Sequence, residues 1–156
     1  MIGTKAYIHS SRLKKNIYQI KKGIPDKNLM VVVKADAYGH GLLNVVNILT
    51  SDKDIIFCTF SIEEALEIRK NGIANRIFIF SKLQESWIHL ALENNIWINA
   101  SHFEDLKVLV DFFKTNNACP KIHLKFDTRI TRVAFDLDDQ DNVYYYIIQN
   151  PFLPVE

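Results

Sequence analysis

The stretch Leu29-Met30-Val31-Val32-Val33-Lys34-Ala35-Asp36-Ala37-Tyr38-Gly39-His40-Gly41 decides how the chain reads. Its first five residues are apolar and mostly β-branched, a run short enough for a buried strand. The rest is polar and punctuated by glycine, with a lysine at the junction. In α/β proteins the C-terminal ends of parallel strands are where sites are built. A lysine there enters partly dry surroundings, and desolvation favours the neutral amine that attacks a carbonyl or moves a proton. Gly39 and Gly41 let the backbone turn tightly and approach a ligand closely. Tyr38 offers a phenol to a phosphate, and His40 a second polar group. On spacing alone, a snorkelling lysine beside an ordinary glycine turn reads equally well.

Four further short apolar runs follow: Ile-Ile-Phe-Cys-Thr-Phe (55–60), Ile-Phe-Ile-Phe (77–80), Ile-Trp-Ile (96–98) and Ile-His-Leu-Lys-Phe (122–126). Each predicts a strand. Helical spacing falls between and before them: Leu13, Ile17 and Ile20; Ile62, Ala65, Leu66 and Arg69; Trp87, Leu90, Ala91 and Asn94; Phe103, Leu106, Val110 and Phe113. Ser10, Ser61 and Ser101 stand where helices need an N-cap, and Ser61 with Glu64 makes a capping box. Asn71-Gly72 is a helix stop. A helix followed by five strand–helix units predicts a parallel sheet, either doubly wound or part of a (β/α)₈ barrel. A closed barrel needs eight units and at least about 200 residues. At 156 residues with five units, a barrel here is a partial one.

Composition narrows the function classes. The chain is 48% hydrophobic and 24% charged, the balance of a folded protein with a real core. Net charge is +1, which gives no electrostatic case for nucleic acid or an anionic membrane as partner. No apolar run is long enough to span a bilayer. The opening MIGTKAYIHSSRLKK has no signal-peptide pattern. Cys58 and Cys119 make neither a disulfide framework nor a zinc site, so a reducing cytoplasm is expected. Cys58 reads as a core residue and Cys119 as a free thiol in a turn. His9, His89 and His102 lack ligand-spaced partners, and no metal is expected. The Tyr144–Tyr146 run with Ile147 and Ile148 reads as a helix covering one side of a barrel.

Lys34-Ala35-Asp36-Ala37-Tyr38-Gly39-His40-Gly41 closely resembles the pyridoxal-phosphate lysine motif of the alanine racemase family. Residues 6–17 resemble the family's opening, residues 59–72 its second unit, and residues 123–135 its fifth strand and turn. The resemblance implies a (β/α)₈ barrel carrying pyridoxal 5'-phosphate, followed by a separate β-rich domain. It implies that Lys34 joins the cofactor's aldehyde and serves as one of two racemisation bases. By the same resemblance Tyr38 contacts the cofactor phosphate. Arg132 lies near the cofactor's phenolic oxygen and the substrate carboxylate, and Lys125 matches a lysine that some members carbamylate to brace that arginine. Residues 1–156 then correspond to an incomplete N-terminal barrel domain without the β domain that carries the other base, a tyrosine. The expected function is pyridoxal-phosphate-dependent interconversion of L- and D-alanine, with this chain inactive alone. The alternative is a non-catalytic homologue, or half of a split enzyme, that binds the cofactor weakly. Serine or another small amino acid is not separated from alanine by these motifs. Expected partners are the amino acid and either further copies of this chain or a complementing second-half polypeptide.

The fifth strand adds a physical expectation. Ile122, Leu124 and Phe126 alternate with His123, Lys125 and Asp127, so the first set meets helices and the second faces inward. Lys125 near Arg132 needs an anion between them: Asp127, the cofactor or a carbamate. A plain Lys125–Asp127 pair is the simpler alternative. The family's turn reads Asp-Thr-Gly-Met-x-Arg-x-Gly, whereas Arg129 and Ala134 replace both glycines here. A glycine at the first place supplies positive φ or room beside the cofactor, whereas Arg129 brings bulk and another charge.

Overall fold

A computed structural model describes residues 7–156. Residues 1–6, which begin the stretch read for a leader and include Ala6 of the 6–17 motif, lie outside the described residues. The elements run α1 (Ser10–Gly23), β1 (Leu29–Val32), α2 (Lys34–Gly39), α3 (Leu42–Leu49), β2 (Ile55–Thr59), α4 (Ile62–Lys70), β3 (Arg76–Ile79), α5 (Ile88–Glu93), β4 (Ile96–Ala100), α6 (Phe103–Asn116), β5 (Ile122–Leu124) and α7 (Gln140–Gln149). The hydrogen-bonded strand order follows the chain, β1-β2-β3-β4-β5. All five expected strands form, with ends moved by at most two residues. The chain divides into two compact units, the first ending at Ile77 and the second beginning at Phe78.

In the first unit β1 and β2 pair in parallel, from Leu29 opposite Ile55 to Val32 opposite Cys58. The Val33 N–H extends the pairing to the Cys58 carbonyl at 2.9 Å. Every residue of β2 is buried, as its unbroken apolar run requires. Its Cys58 thiol is pushed up to about 12 by burial, which keeps it protonated and inert. On α4 the capping box is present, with Ser61 Oγ accepting from the Glu64 N–H at 3.3 Å. That helix stops at Asn71, and Gly72 follows with φ +75°. Ile68, outside the expected stripe, joins Ile62 and Ala65 in its buried face. Helix α1 departs more from expectation, because none of its residues is buried. Leu13 and Ile17 are half-buried, but Ile20 is exposed. Lys21 ties the helix end to Asp52 (2.8 Å) and Asp54 (3.1 Å). The helix begins at Ser10 itself, with His9 in the cap position.

In the second unit β4 and β5 pair in parallel, from Ile98 opposite Ile122 to Ala100 opposite Leu124. Helix α6 buries Leu106, Leu109 and Val110. A 3₁₀ turn, Glu85–Trp87, leads into α5 and resets its phase, so Ile88 and Ala91 are buried while Leu90 is exposed. Ser101 lies one residue before the cap position of α6, which His102 occupies. The Asp105 carboxylate accepts from Ser101 N–H (2.8 Å), Ser101 Oγ (3.0 Å) and His102 N–H (3.1 Å). The alternation along β5 holds: Leu124 and Phe126 line an apolar hollow with Val143 and Ile147 of α7. On the opposite face the His123 ring lies 4.6 Å from Phe78 and 5.2 Å from Trp97. Past α7 the chain returns: Ile122 N–H donates to the Pro154 carbonyl and Glu156 N–H to the Ile122 carbonyl, both at 2.9 Å, so Val155 bridges Ile122 in parallel.

Burial pulls the His123 imidazole below 6.5, partly offset by the Glu156 carboxylate. Its Nε2 has no hydrogen-bond partner among the described residues. Below about pH 6.5 the unfolded chain therefore takes up a proton that the folded chain resists, and stability falls with falling pH. Urea unfolding between pH 7.5 and 5.5 should show this loss. His123→Phe, which keeps the aromatic stack and removes the titration, should flatten it relative to wild type.

Candidate active site

The first unit builds its site from two adjacent strand ends. Pairing of β1 with β2 sets Lys34 and Phe60 side by side, each two residues beyond the last register pair, Val32 with Cys58. Lys34 is half-buried. Its Nζ lies 5.3 Å from the centre of the Phe60 ring and 6.0 Å from that of Tyr38. Both distances bring the ammonium within reach of an aromatic face. Lys34, Ala35, Phe60, Ser61 and Glu64 line an open hollow of about 280 Å³. The Tyr38 and Phe60 side chains are both largely exposed.

The turn after Lys34 is left-handed over four consecutive non-glycine residues. Ala35, Asp36, Ala37 and Tyr38 have φ between 51 and 56° and ψ between 38 and 55°. Each such residue costs about 1–2 kcal/mol for an L-amino acid, and runs of them are unusual. Gly39 (φ +80°) extends the run, His40 returns to φ −87°, and Gly41 turns positive again (φ +88°), in keeping with the tight turn expected of the two glycines. A Cβ on Gly41 would meet Asn44 Nδ2 at 2.6 Å. The run is held by hydrogen bonds along its length. Ala37 N–H donates to the Val33 carbonyl and Gly41 N–H to the Asp36 carbonyl, both at 2.9 Å. Asp36 Oδ1 accepts from Leu42 N–H at 2.6 Å and caps α3, while Glu64 Oε1 accepts from Ala35 N–H at 2.6 Å. His40 folds back, its Nδ1 lying 2.9 Å from the Ala37 carbonyl.

Lys125 and Arg132 belong to the second unit. Lys125 is half-buried, its N–H donating to the Ala100 carbonyl and its carbonyl accepting from Phe135 N–H. Arg132 is exposed. Among the described residues no hydrogen bond or ion pair joins Lys125 to Asp127 or to Arg132. Asp127 Oδ1 instead accepts from the Ile130 and Thr131 N–H groups at 2.9 and 3.0 Å, closing the turn. Arg129 in that turn has φ +72° and Thr131 φ +58°. The backbone thus demands at 129 the conformation that glycine adopts without steric cost. Cys119 is free and half-buried, its thiol also pushed up to about 12 by burial.

Of the residues singled out in the sequence, Lys34 and Tyr38 lie together here with Gly39 and Gly41. Phe60, a wall of the hollow, was not singled out, and Glu64 was legible only as half of a capping box. Ala35 and Ala37 carry no sequence signal for the left-handed run.

The family description "Alanine racemase, N-terminal domain" matches residues 8–156, so the chain belongs to the family of alanine racemase N-terminal domains. The alanine racemase of Fusobacterium nucleatum subsp. nucleatum is 34% identical over 143 residues, covering 92% of this chain and 39% of that protein. Alanine racemase of Clostridium difficile 630 superposes with a TM-score of 0.81 at 24% identity, over 94% of this chain and 38% of its own. Histidine racemase from Leuconostoc mesenteroides subsp. sake gives a TM-score of 0.79 at 23% identity, over 92% of this chain and 39% of its own. The fold is therefore the α/β fold of these racemases' N-terminal barrel domains. The chain spans about two fifths of the length of the relatives it matches. Among the described residues no helix is long and apolar enough to cross a membrane.

Because Arg129 holds a left-handed backbone, Arg129→Gly should stabilise the chain. The expected gain is up to about 1 kcal/mol, the relieved strain less the entropy that glycine adds to the unfolded state. Chemical denaturation measures it directly. A loss of stability would mean that the arginine side chain holds the turn.

Proposed function

We propose that residues 1–156 form the N-terminal, partial barrel of a cytoplasmic pyridoxal-phosphate-dependent racemase that interconverts L- and D-alanine. The observation that carries this reading is Lys34: a half-buried amine at a strand end, facing a hollow walled by the Phe60 ring and followed by the exposed Tyr38 phenol. An amine, an aromatic wall and a phenolic donor suit a planar aldehyde bearing a phosphate. When bound, pyridoxal phosphate supplies the electron sink that makes an amino acid's α-proton removable. Lys34 Nζ would hold the aldehyde and move the α-proton on one face. Tyr38 Oη would donate to the phosphate. The Arg132 guanidinium would receive the substrate carboxylate, and Lys125, as a carbamate, would brace it. Family membership and 34% identity to an alanine racemase support alanine as the substrate. The likeness to a histidine racemase is one of fold alone.

On this reading the chain works with other polypeptide, either a complementing second half or further copies of itself. Exposed Met30 and Val32 on β1, and Tyr144, Tyr145 and Ile148 on α7, support such association. A second reading, a non-catalytic homologue with weak cofactor affinity, is favoured by Arg129 in left-handed backbone and by the exposure of Arg132.

Incubation with pyridoxal phosphate, borohydride reduction and peptide mapping should place the adduct on Lys34, and Lys34→Ala should lose it. Adducts spread over surface lysines, none favoured at Lys34, would overturn the cofactor assignment. Racemisation needs a base on each face of the α-carbon, and Lys34 serves one. The resemblance assigns the other base to a tyrosine outside residues 1–156, and a positioned base is typically worth about 10²–10⁴ in rate, so residues 1–156 alone should not form D-alanine from L-alanine at an enzymatic rate. Rapid turnover abolished by Lys34→Ala would show that a residue of this chain supplies the other base.

A further inference from the structure

Glu64 does more than cap its helix. A capping box asks of its acidic residue one contact, to the N–H of the cap residue. Here that contact, to Ser61 N–H, is 3.3 Å and the longest of three. The same oxygen, Oε2, accepts from Phe60 N–H at 2.9 Å. The other oxygen, Oε1, reaches back 29 residues in sequence to Ala35 N–H at 2.6 Å. Ala35 opens the left-handed run and follows Lys34 directly, while Phe60 carries the ring that faces the Lys34 amine. One carboxylate therefore grips the backbone beside both walls of the hollow. A charge-assisted bond of this kind is about twice as strong as a neutral one, and here it sits where the backbone is strained.

We propose that Glu64 is the positioning residue of this site. It fixes the start of the left-handed turn against the Phe60 loop and so sets the direction in which Lys34 presents its amine. The proposal rests on the reading of Lys34 as the cofactor lysine only for its consequence in catalysis; the geometric claim is independent of it. The chemistry explains why a carboxylate is used. Three N–H groups converge from two loops, and a carboxylate offers acceptor oxygens on both sides. Glutamine would turn an NH₂ toward one set of donors. Aspartate keeps the charge but is one methylene too short to hold both loops.

The test compares Glu64→Gln and Glu64→Asp with wild type and with Glu63→Gln. The last removes an equal charge from the same helical turn at an exposed position. Two readouts need no cofactor. Amide exchange at Ala35 should quicken at least tenfold in both Glu64 variants and stay within twofold of wild type in Glu63→Gln, with Phe57 unchanged in all. The Lys34 ε-methylene protons, shielded by the Phe60 ring in wild type, should move toward the position of those of exposed Lys107. Ala35 exchange or a Lys34 signal unchanged in both Glu64 variants would overturn the proposal. A third arm, the rate at which pyridoxal phosphate is trapped on Lys34 by borohydride, should fall at least tenfold in both variants, since misplacement near 1 Å can cost about a hundredfold. An unchanged trapping rate would reduce Glu64 to a structural tie and overturn its positioning role. Wild type that traps nothing at Lys34, while the first two readouts shift as described, would overturn the cofactor reading and support the geometric role of Glu64.

Discussion

The parallel pairing of β1 with β2 is the contact from which the site of the first unit follows. Parallel strands end at the same side of a sheet, so the residue that leaves β1 and the residue that leaves β2 emerge as neighbours. Two residues past the last register pair, the neighbours are Lys34 and Phe60. Without the Val32–Cys58 register, the lysine would have no ring to face and Ala35 N–H no carboxylate within reach. A slip of one residue would also turn the alternating side chains of β1 to the wrong faces. The wholly buried β2 makes such a slip costly, because its Ile55, Ile56, Phe57 and Cys58 are all in the core.

The left-handed run from Ala35 to Tyr38 is the second constraint. Backbone in this region persists in L-residues only where the surroundings over-determine it. Here the ties are specific: the Val33 carbonyl, the run's own Asp36 carboxylate bound to the first N–H of α3, and the Glu64 carboxylate on α4. A right-handed turn would carry Tyr38 and the chain to α3 along another path.

Much of the fold was legible in the sequence because its signals are local. Short β-branched runs marked the strands, Ser61 with Glu64 marked the start of α4, and Asn71-Gly72 marked its end. The shortfalls have physical causes. A 3₁₀ turn shifted the phase of α5, which a count in steps of three or four does not foresee. Helix α1 shows an apolar stripe but buries no residue of it fully, since periodicity reports a face and not what covers it. In the site, Lys34, Tyr38, Gly39 and Gly41 stood out by type. Ala35 and Ala37 did not, because propensity licenses positive φ for glycine and gives no warning for alanine. The reach of Glu64 to Ala35 was invisible for a different reason: it depends on strand register, a long-range property.

Both units use one device. In the first, Glu64 collects N–H groups from the loop before its own helix; in the second, Asp105 does the same with Ser101 and His102. In each case the acidic residue lies only three or four positions beyond the loop groups it gathers. Contacts that short close with little loss of chain entropy. They keep contact order low, and low contact order favours rapid folding. Each loop can therefore take its shape soon after its helix has left the ribosome, before distant parts of the chain exist. The Ala35 contact is the exception: that loop must wait for Glu64, so the lysine turn is shaped only once the following strand–helix unit has been made.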